Sequence, residues 1–445
     1  MLVVGALDDL RSALDGELLT PTAPGYDDAR RPALARFRNV HPRAVVRCAT
    51  VRDVVRAVAV ARDTGIPVVP RGGGHCFAGR SSTNDGVVLD LSRLDTITVG
   101  SDGRAVIGAG ARLGQVYEAL HQQARTLPVG CGLTVGIAGL ALGGGLGLLG
   151  RRHGLTCDSL VSAQVVLPDG RVVDCDSDRE PDLYWALRGA GGGQLGVVTS
   201  FVFTTIAEPH MTRFQLQWPD AKAAEIIAAW QSWAPDAPDD ITANLTVGTE
   251  PGHPVQVTVS GAALRNADAT LAVLSQLTAL AGSRVDAQVC EGMPLAELKR
   301  SIATPDPREH DPNASGRSEL FTAAIPTTAV TALLDELTTG QPRSRRLLTF
   351  TALGGAYNLV ASDATAYAHR SQRFLLDHLA DNTDGWVDRS WAIAHPYGTG
   401  RVYPNFPDPH LDDPGQAYHG DNFARLITVK DRYDPDRLFH FSQAV

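Results

Sequence analysis

Residues 71–80 read Arg-Gly-Gly-Gly-His-Cys-Phe-Ala-Gly-Arg and combine a cradle with a nucleophile. Gly72, Gly73 and Gly74 carry no Cβ and tolerate positive φ, so backbone can lie directly against a bulky ligand. Successive N–H groups in such a turn form a concave nest for phosphate oxygens. Arg71 and Arg80 add positive charge, and His75 adds a ring nitrogen able to form a bond. The pattern points to a large anionic cofactor that is gripped, with an imidazole placed to attach it. A tight surface loop with an incidental histidine is the competing reading of this stretch alone.

A second glycine-rich stretch, Pro128–Gly147, makes that competing reading hard to keep. Its glycines fall at 130, 132, 136, 139, 143–145 and 147. So much backbone freedom is costly to freeze on folding, and the return is a chain that lies flat along an extended ligand and donates N–H groups to it. Gly145–Gly150 matches the dinucleotide pattern GxGxxG by letter, but glycine rather than a buried strand precedes it. Asp169, where a ribose-binding acid would stand, falls in a hairpin turn. No set of His, Cys and acidic residues has metal-ligand spacing, so no metal is expected.

These residues need a frame. Val51–Thr64 has the apolar spacing of an amphipathic helix that stops before Gly65, and 66–70 is a short strand feeding the first glycine loop. Strands are expected at 87–91, 97–99 and 104–107, then a helix over 112–125. Residues 162–174 form a hairpin turning at Pro168-Asp169-Gly170. A helix near 180–187 and a strand over 197–204 complete this part. After Pro209 the strands at 212–218, 241–248 and 255–262 alternate apolar and polar residues, with helices at 219–234 and 266–281, and a strand at 346–352 and a helix at 363–379 continue this unit. Residues 303–318, rich in Pro, Asp, Arg and Gly, read as a loop, and 417–431 as a helix.

At 445 residues the chain is long enough for two domains. A net charge of −9 argues against a nucleic-acid partner. The six cysteines form no CxxC pair, and reduced thiols are expected. No segment resembles a membrane anchor, and Met1–Ala6 lacks the basic start of a signal peptide, so a cytoplasmic protein is expected.

Further stretches complete a pattern: Arg151-Arg-His-Gly-Leu155 with Asp158, Asp182-Leu-Tyr-Trp-Ala-Leu-Arg-Gly189, Gly196-Val-Val-Thr199, Tyr403-Pro-Asn-Phe406 and Tyr433-Asp-Pro-Asp-Arg-Leu-Phe439. With the two glycine stretches, in order from about residue 40 to the C-terminus, they resemble the berberine-bridge-enzyme-like flavoproteins of the vanillyl-alcohol-oxidase superfamily. The resemblance implies an α+β fold. Its PCMH-type FAD-binding domain would comprise 1–207 and a returning segment 405–445, and an inserted substrate domain over 208–404 would be an antiparallel sheet backed by helices.

The same resemblance implies FAD bonded through His75 to the flavin 8α-methyl, which makes the flavin a stronger hydride acceptor. The pyrophosphate would rest on Arg71–His75 with Gly79, Arg80 and Ser81. Gly132, Val135, Gly136, Gly139, Leu142, Gly143, Gly144 and Gly145 would run along the ring and ribityl chain, and Gly196, Val197, Val198, Tyr403 and Asn405 would complete the site. Relatives often carry a second attachment cysteine spaced Cys-x-x-Val-Gly. Here Gly132 occupies that place and Cys131 lies one residue earlier, which leaves one bond or two open.

Alcohol oxidation by flavin requires a hydride acceptor and a base for the hydroxyl proton. The family often uses a tyrosine from a Tyr-x-Asn-Tyr segment, and this chain keeps the first tyrosine, Tyr403, and has Phe406 at the second. Tyr403 is the expected base, its pKa lowered by Arg401, with Tyr357 as the other candidate. The expected activity is oxidation of an alcohol or amine carbon of a secondary metabolite or sugar, with O2 returning the flavin to its oxidised state and yielding H2O2. A flavin dehydrogenase or oxidative cyclase, and a non-catalytic small-molecule-binding protein on the same fold, are the alternatives. The expected partners are a small-molecule substrate and O2, with a monomer or homodimer as the assembly.

Overall fold

Three sheets carry the architecture in the computed structural model, which describes residues 2–219, 222–303, 306–340, 344–381 and 384–445. A four-stranded sheet has the order Glu17–Leu19, Ala44–Arg47, Val87–Asp90, Val68–Arg71, and its last three strands are parallel. The connecting helix Val51–Thr64 begins at Thr50, whose hydroxyl accepts from the Asp53 N–H while the Asp53 carboxylate accepts from the Thr50 N–H. It ends where Gly65 turns left-handed at φ 70°. The 71–75 loop therefore leaves the carboxyl end of a parallel strand.

Beside it stands a five-stranded antiparallel sheet, ordered Ile97–Val99, Arg104–Gly108, Val197–Thr204, Leu160–Val166, Val172–Cys175. One apolar core joins both sheets and takes in Leu426, Val429, Tyr433 and Phe439 from the end of the chain. Lys430, on the helix Phe423–Tyr433, is fully buried and donates to Asp434 at 2.6 Å, to the Phe439 carbonyl at 2.7 Å and to the Gln194 carbonyl.

The third sheet has seven strands, all antiparallel: Gln288–Pro294, His210–Pro219, Gln256–Ala263, Ile241–Thr249, Arg346–Ala352, Phe374–Ala380, Ser315–Phe321. Helices Ala223–Trp233, Thr327–Thr338 and Trp386–Ala394 contribute Trp230, Leu333 and Trp386 to the core on one face, against Phe350, Phe374 and Leu376. Alternation turns Leu375, Asp377 and Leu379 to the other face, with Leu347 and Thr349 beside them in register. Arg151 clamps this sheet to the glycine-rich half. Its fully buried guanidinium donates to the carbonyls of Ile241 (3.1 Å), Pro235 (2.9 Å), Ala237 (2.5 Å) and Leu353.

Several expected elements differ. Residues 363–379 are not a helix: 374–380 is a central strand, buried on both faces, whose unbroken Phe-Leu-Leu run cannot be told from a helical stripe by periodicity. The expected loop over 303–318 ends early, because Ser315–Phe321 pairs with that strand as the sheet edge, and 304–305 lie outside the described residues. The helix expected over 417–431 is two, Pro414–His419 and Phe423–Tyr433, separated where Gly420 takes φ 52°. The helix expected over 112–125 is Leu113–His121 and ends before Ala124 turns to φ 49°. The helix expected from 219 begins at Ala223, and 220–221 lie outside the described residues.

Candidate active site

A cavity of about 860 Å³ runs between the two glycine stretches and the free face of the seven-stranded sheet, within the range of small-molecule sites. One wall is almost entirely backbone. Gly72, Gly73, Gly74 and His75 line it with Gly132, Val135, Gly136, Gly139 and Leu142, and Gly196 and Val198 close one end. Close approach explains the glycines at 73 and 136: a Cβ on Gly73 would stand 2.3 Å from the Gly136 nitrogen, and one on Gly136 equally close to the Gly73 nitrogen. The two loops touch backbone to backbone, and neither position has room for a side chain.

His75 sits in this wall with its Nε2 buried and without a partner, while its ring is hydrogen-bonded to the Thr134 backbone. Burial lowers its pKa, and Arg112 adds to that, against the opposing pull of Glu309 and Asp306. The imidazole is thus kept neutral, the state in which a ring nitrogen is nucleophilic. An orphaned nitrogen beside a side-chain-free cradle fits the flat, phosphate-bearing cofactor expected from the sequence. Arg80 and Ser81 also line the cavity, with the Arg80 guanidinium over the Phe441 ring and bonded to Gln443.

Other expected residues lie outside the cavity. The Arg71 guanidinium turns away, donating to the carbonyls of Arg30 (2.9 Å) and Ala29 and pairing with Asp90 at 3.1 Å. It anchors the start of the loop. Gly79 packs under Phe37, and Val197 lies in the core. Gly143, Gly144 and Gly145 pass behind the lining against Asn405, Tyr367, Tyr403 and Thr156. Cys131 reaches the cavity, but it packs against the small apolar cluster that contains Leu148, Leu149 and Leu298. Burial raises its thiol pKa, opposed by the nearby ammonium of Lys299 and a hydrogen bond from the Leu148 backbone.

Tyr403 and Asn405 line the cavity, whereas Tyr357 does not. The Tyr403 oxygen accepts three hydrogen bonds, from the N–H groups of Gly145 (2.8 Å) and Leu146 (3.1 Å) and from Asn405 Nδ2 (2.9 Å). Burial pushes its pKa up to about 12 despite those donors. The expected lowering by Arg401 does not occur, because that guanidinium is turned to the Gln416 carbonyl. Tyr357, buried just after strand Arg346–Ala352, exchanges hydrogen bonds with the N–H and carbonyl of Gly147 at 3.0 and 2.9 Å. Both phenols hold the second glycine stretch in place.

The opposite wall is made of side chains. Asp306, Arg308, Glu309, His310 and Arg345 line it with Leu347 and Leu379. Arg308 lies 3.5 Å from the Phe77 ring centroid and is paired with Asp306 at 2.9 Å, and Phe77 in turn contacts Phe406 at 5.2 Å. Asp377, which the sequence reading missed, stands two positions before Leu379 and so on the same sheet face. A Cβ on the neighbouring Gly316 would meet an Asp377 oxygen at 3.2 Å and the Arg308 guanidinium at 3.3 Å, so both reach into one space. Burial raises the Asp377 pKa to about 6, with Arg308 pulling it down and Asp306 up. Its signal in the sequence was a lone acid inside the apolar run Phe374–Ala380. Among the described residues no cluster of His, Cys, Asp and Glu could hold a metal ion, and no helix is long and apolar enough to cross a membrane.

Comparison with known proteins agrees with this geometry. Residues 42–176 match the FAD binding domain family and residues 402–445 the family described as berberine and berberine like. An uncharacterised FAD-linked oxidoreductase of Bacillus subtilis, YgaK, is 31% identical over 450 residues, spanning 98% of each chain. The structure of Physcomitrella patens BBE-like 1 superposes with a TM-score of 0.89 at 29% identity, over 99% of this chain and 98% of that one. A glucooligosaccharide oxidase from Acremonium strictum, described as carrying a 6-S-cysteinyl, 8α-N1-histidyl FAD, superposes with a TM-score of 0.88 at 25% identity over 99% of each chain. A backbone-walled cavity with a buried neutral histidine, on a fold shared with flavin-bonding enzymes, places the chain in the berberine-bridge-like family of FAD-linked oxidoreductases.

Proposed function

We propose that the protein is an FAD-dependent oxidase that removes a hydride from an alcohol or amine carbon of a small molecule. The observation that carries this reading is Asp377, a carboxylate with no hydrogen bond among the described residues, on the same sheet face as the cavity-lining Leu347 and Leu379 and beside Arg308. FAD, when bound, supplies the hydride acceptor and, with O2, the route for the electrons to H2O2. The chain supplies the rest. The 72–75 loop and Gly132–Leu142 hold the cofactor, with the His75 ring nitrogen as its attachment point and Cys131 remaining a thiol. Asp377 takes the substrate proton, because a pKa near 6 leaves it ionised at neutral pH and basic enough to accept. Tyr403, protonated at the same pH, positions the glycine stretch by accepting from the N–H groups of Gly145 and Leu146.

Residues 1–207 with 405–445 form the cofactor-binding unit and 208–404 the substrate unit. Two apolar cores support this: one lies wholly within 208–404, and the other draws on 1–207 and the C-terminal segment apart from Ala296 and Ala366. The substrate is a polyol or sugar-like alcohol or a tailored secondary metabolite. The mixed wall of Asp306, Arg308, Glu309, His310 and Arg345 suits a ligand with several hydroxyls, and the glucooligosaccharide oxidase on the same fold points the same way. The test is a panel of oligosaccharides and hydroxylated metabolites followed anaerobically by flavin bleaching and aerobically by peroxide release. Bleaching with peroxide supports an oxidase, bleaching without it a dehydrogenase or cyclase, and no bleaching by any compound a non-catalytic binder.

A further inference from the structure

A second cavity, of about 440 Å³, shares the 72–75 loop with the first. The two have Gly72, Gly73, His75, Thr134 and Glu309 in common and otherwise separate walls. Arg47, Arg71 and Asp90 end the three parallel strands of the small sheet and line this cavity, which thus occupies the edge where open parallel sheets receive ligands.

Its walls hold a surplus of positive charge. Six arginines (31, 38, 47, 71, 93 and 112) face three acids, Asp28, Asp90 and Glu309. Asp90 neutralises Arg71 at 3.1 Å, and Asp28 approaches Arg31 only at 3.9 Å. Arg47 and Arg93 share a single carboxylate, that of Glu17. Arg38 donates to the uncharged carbonyls of Ala33 and Glu309, at 2.8 and 2.7 Å. Arg112, at the start of the helix Leu113–His121, has no carboxylate partner among the described residues. The field of these groups reaches the loop: Arg47 and Arg112 disfavour charge on Arg71, and Arg112 disfavours it on His75.

We propose that this arginine-lined cavity is a second ligand site, distinct from the cofactor's, that takes a phosphate-class oxyanion against Arg47, Arg93 and Arg112. Guanidinium forks match tetrahedral oxyanions two bonds at a time. An anion there also relieves the mutual repulsion of cations that outnumber the carboxylates beside them: Arg47 and Arg93 have Glu17 between them, and Arg112 has no carboxylate partner among the described residues. The oxyanion is either free phosphate or the phosphoryl group of a larger metabolite.

The test titrates flavin-loaded protein with inorganic phosphate, inorganic pyrophosphate and AMP by calorimetry at constant ionic strength. Saturable binding is expected, weakened about tenfold or more in both Arg112→Gln and Arg93→Gln, with flavin content per chain unchanged. Binding of inorganic phosphate would show that the free ion suffices, and binding of AMP alone would identify the phosphoryl group of a larger molecule; either supports the site. Absence of saturable binding by all three probes, or affinity unaltered in both variants, overturns it. Binding confined to flavin-free His75→Ala protein also overturns it, because the cavity is then the seat of the cofactor's own phosphates.

Discussion

The two walls of the large cavity are built from different materials. The first wall is backbone: glycines at 72–74, 132, 136 and 139 bring main chain to the surface, with the buried His75 ring among them. The facing wall is side chain: Asp306, Arg308, Glu309, His310 and Arg345 line it, with Asp377 on the same sheet face as the lining Leu347 and Leu379, and the other face of that sheet is an apolar core. A backbone wall recognises a shape common to every copy of one cofactor, and its tolerance for change is nearly nil. A side-chain wall can be rewritten residue by residue without touching the fold. The division assigns constancy to one side of the reaction and choice to the other.

The sharpest way to break the comparison is at Asp377. Asp377→Asn is expected to lower kcat by about 10²–10⁴-fold while leaving flavin content intact; a smaller loss in stopped-flow flavin reduction would move the base elsewhere. The same group sets a pH dependence. The base must be ionised, so kcat/KM should be flat above its pKa of about 6 and fall about tenfold per unit below it. The pH profile of Asp377→Asn should lose that limb.

On the other wall, Gly73→Ala forces a Cβ to within 2.3 Å of the Gly136 nitrogen. Such overpacking costs about 1–3 kcal/mol or more, visible as a lower Tm and a lower flavin-to-protein ratio. His75→Ala should release flavin into the supernatant on acid denaturation, whereas Cys131→Ser should retain a mass gain of one FAD. Flavin still attached in His75→Ala would shift the bond to the thiol. The smallest effect is expected at Tyr403→Phe. It leaves three donors without their acceptor, a stability loss of about 1–3 kcal/mol by denaturant titration, with the limb near pH 6 unmoved.

The glycine wall was legible in the sequence because its requirement is steric and local. Consecutive glycines followed by histidine after a strand have few other uses, and Val51–Thr64 and Val197–Thr204 matched their spans to the residue. Less was legible opposite. Asp377 is one acid in the run Phe374–Ala380, whose continuous hydrophobicity reads as a helix until its neighbours on both sides are known. Its proximity to Arg308, from a segment nearly seventy positions earlier, depends on the pairing of Ser315–Phe321 with that strand. The role of Arg71 was also hidden: its charge is spent on Asp90 and two carbonyls, partners that only the parallel sheet brings together.

The burial of Lys430 has a consequence in time. Its ammonium caps the Gln194 carbonyl across 236 positions of chain, and everything between, including the whole seven-stranded sheet, leaves the ribosome first. During synthesis the glycine-rich half must therefore wait, with part of its apolar core uncovered, until Leu426, Val429 and Phe439 arrive to close it. Contacts so distant in sequence form slowly, and half-covered cores are where nascent chains aggregate. The last helix acts as a latch on a finished molecule, and cofactor loading is expected to follow its closure.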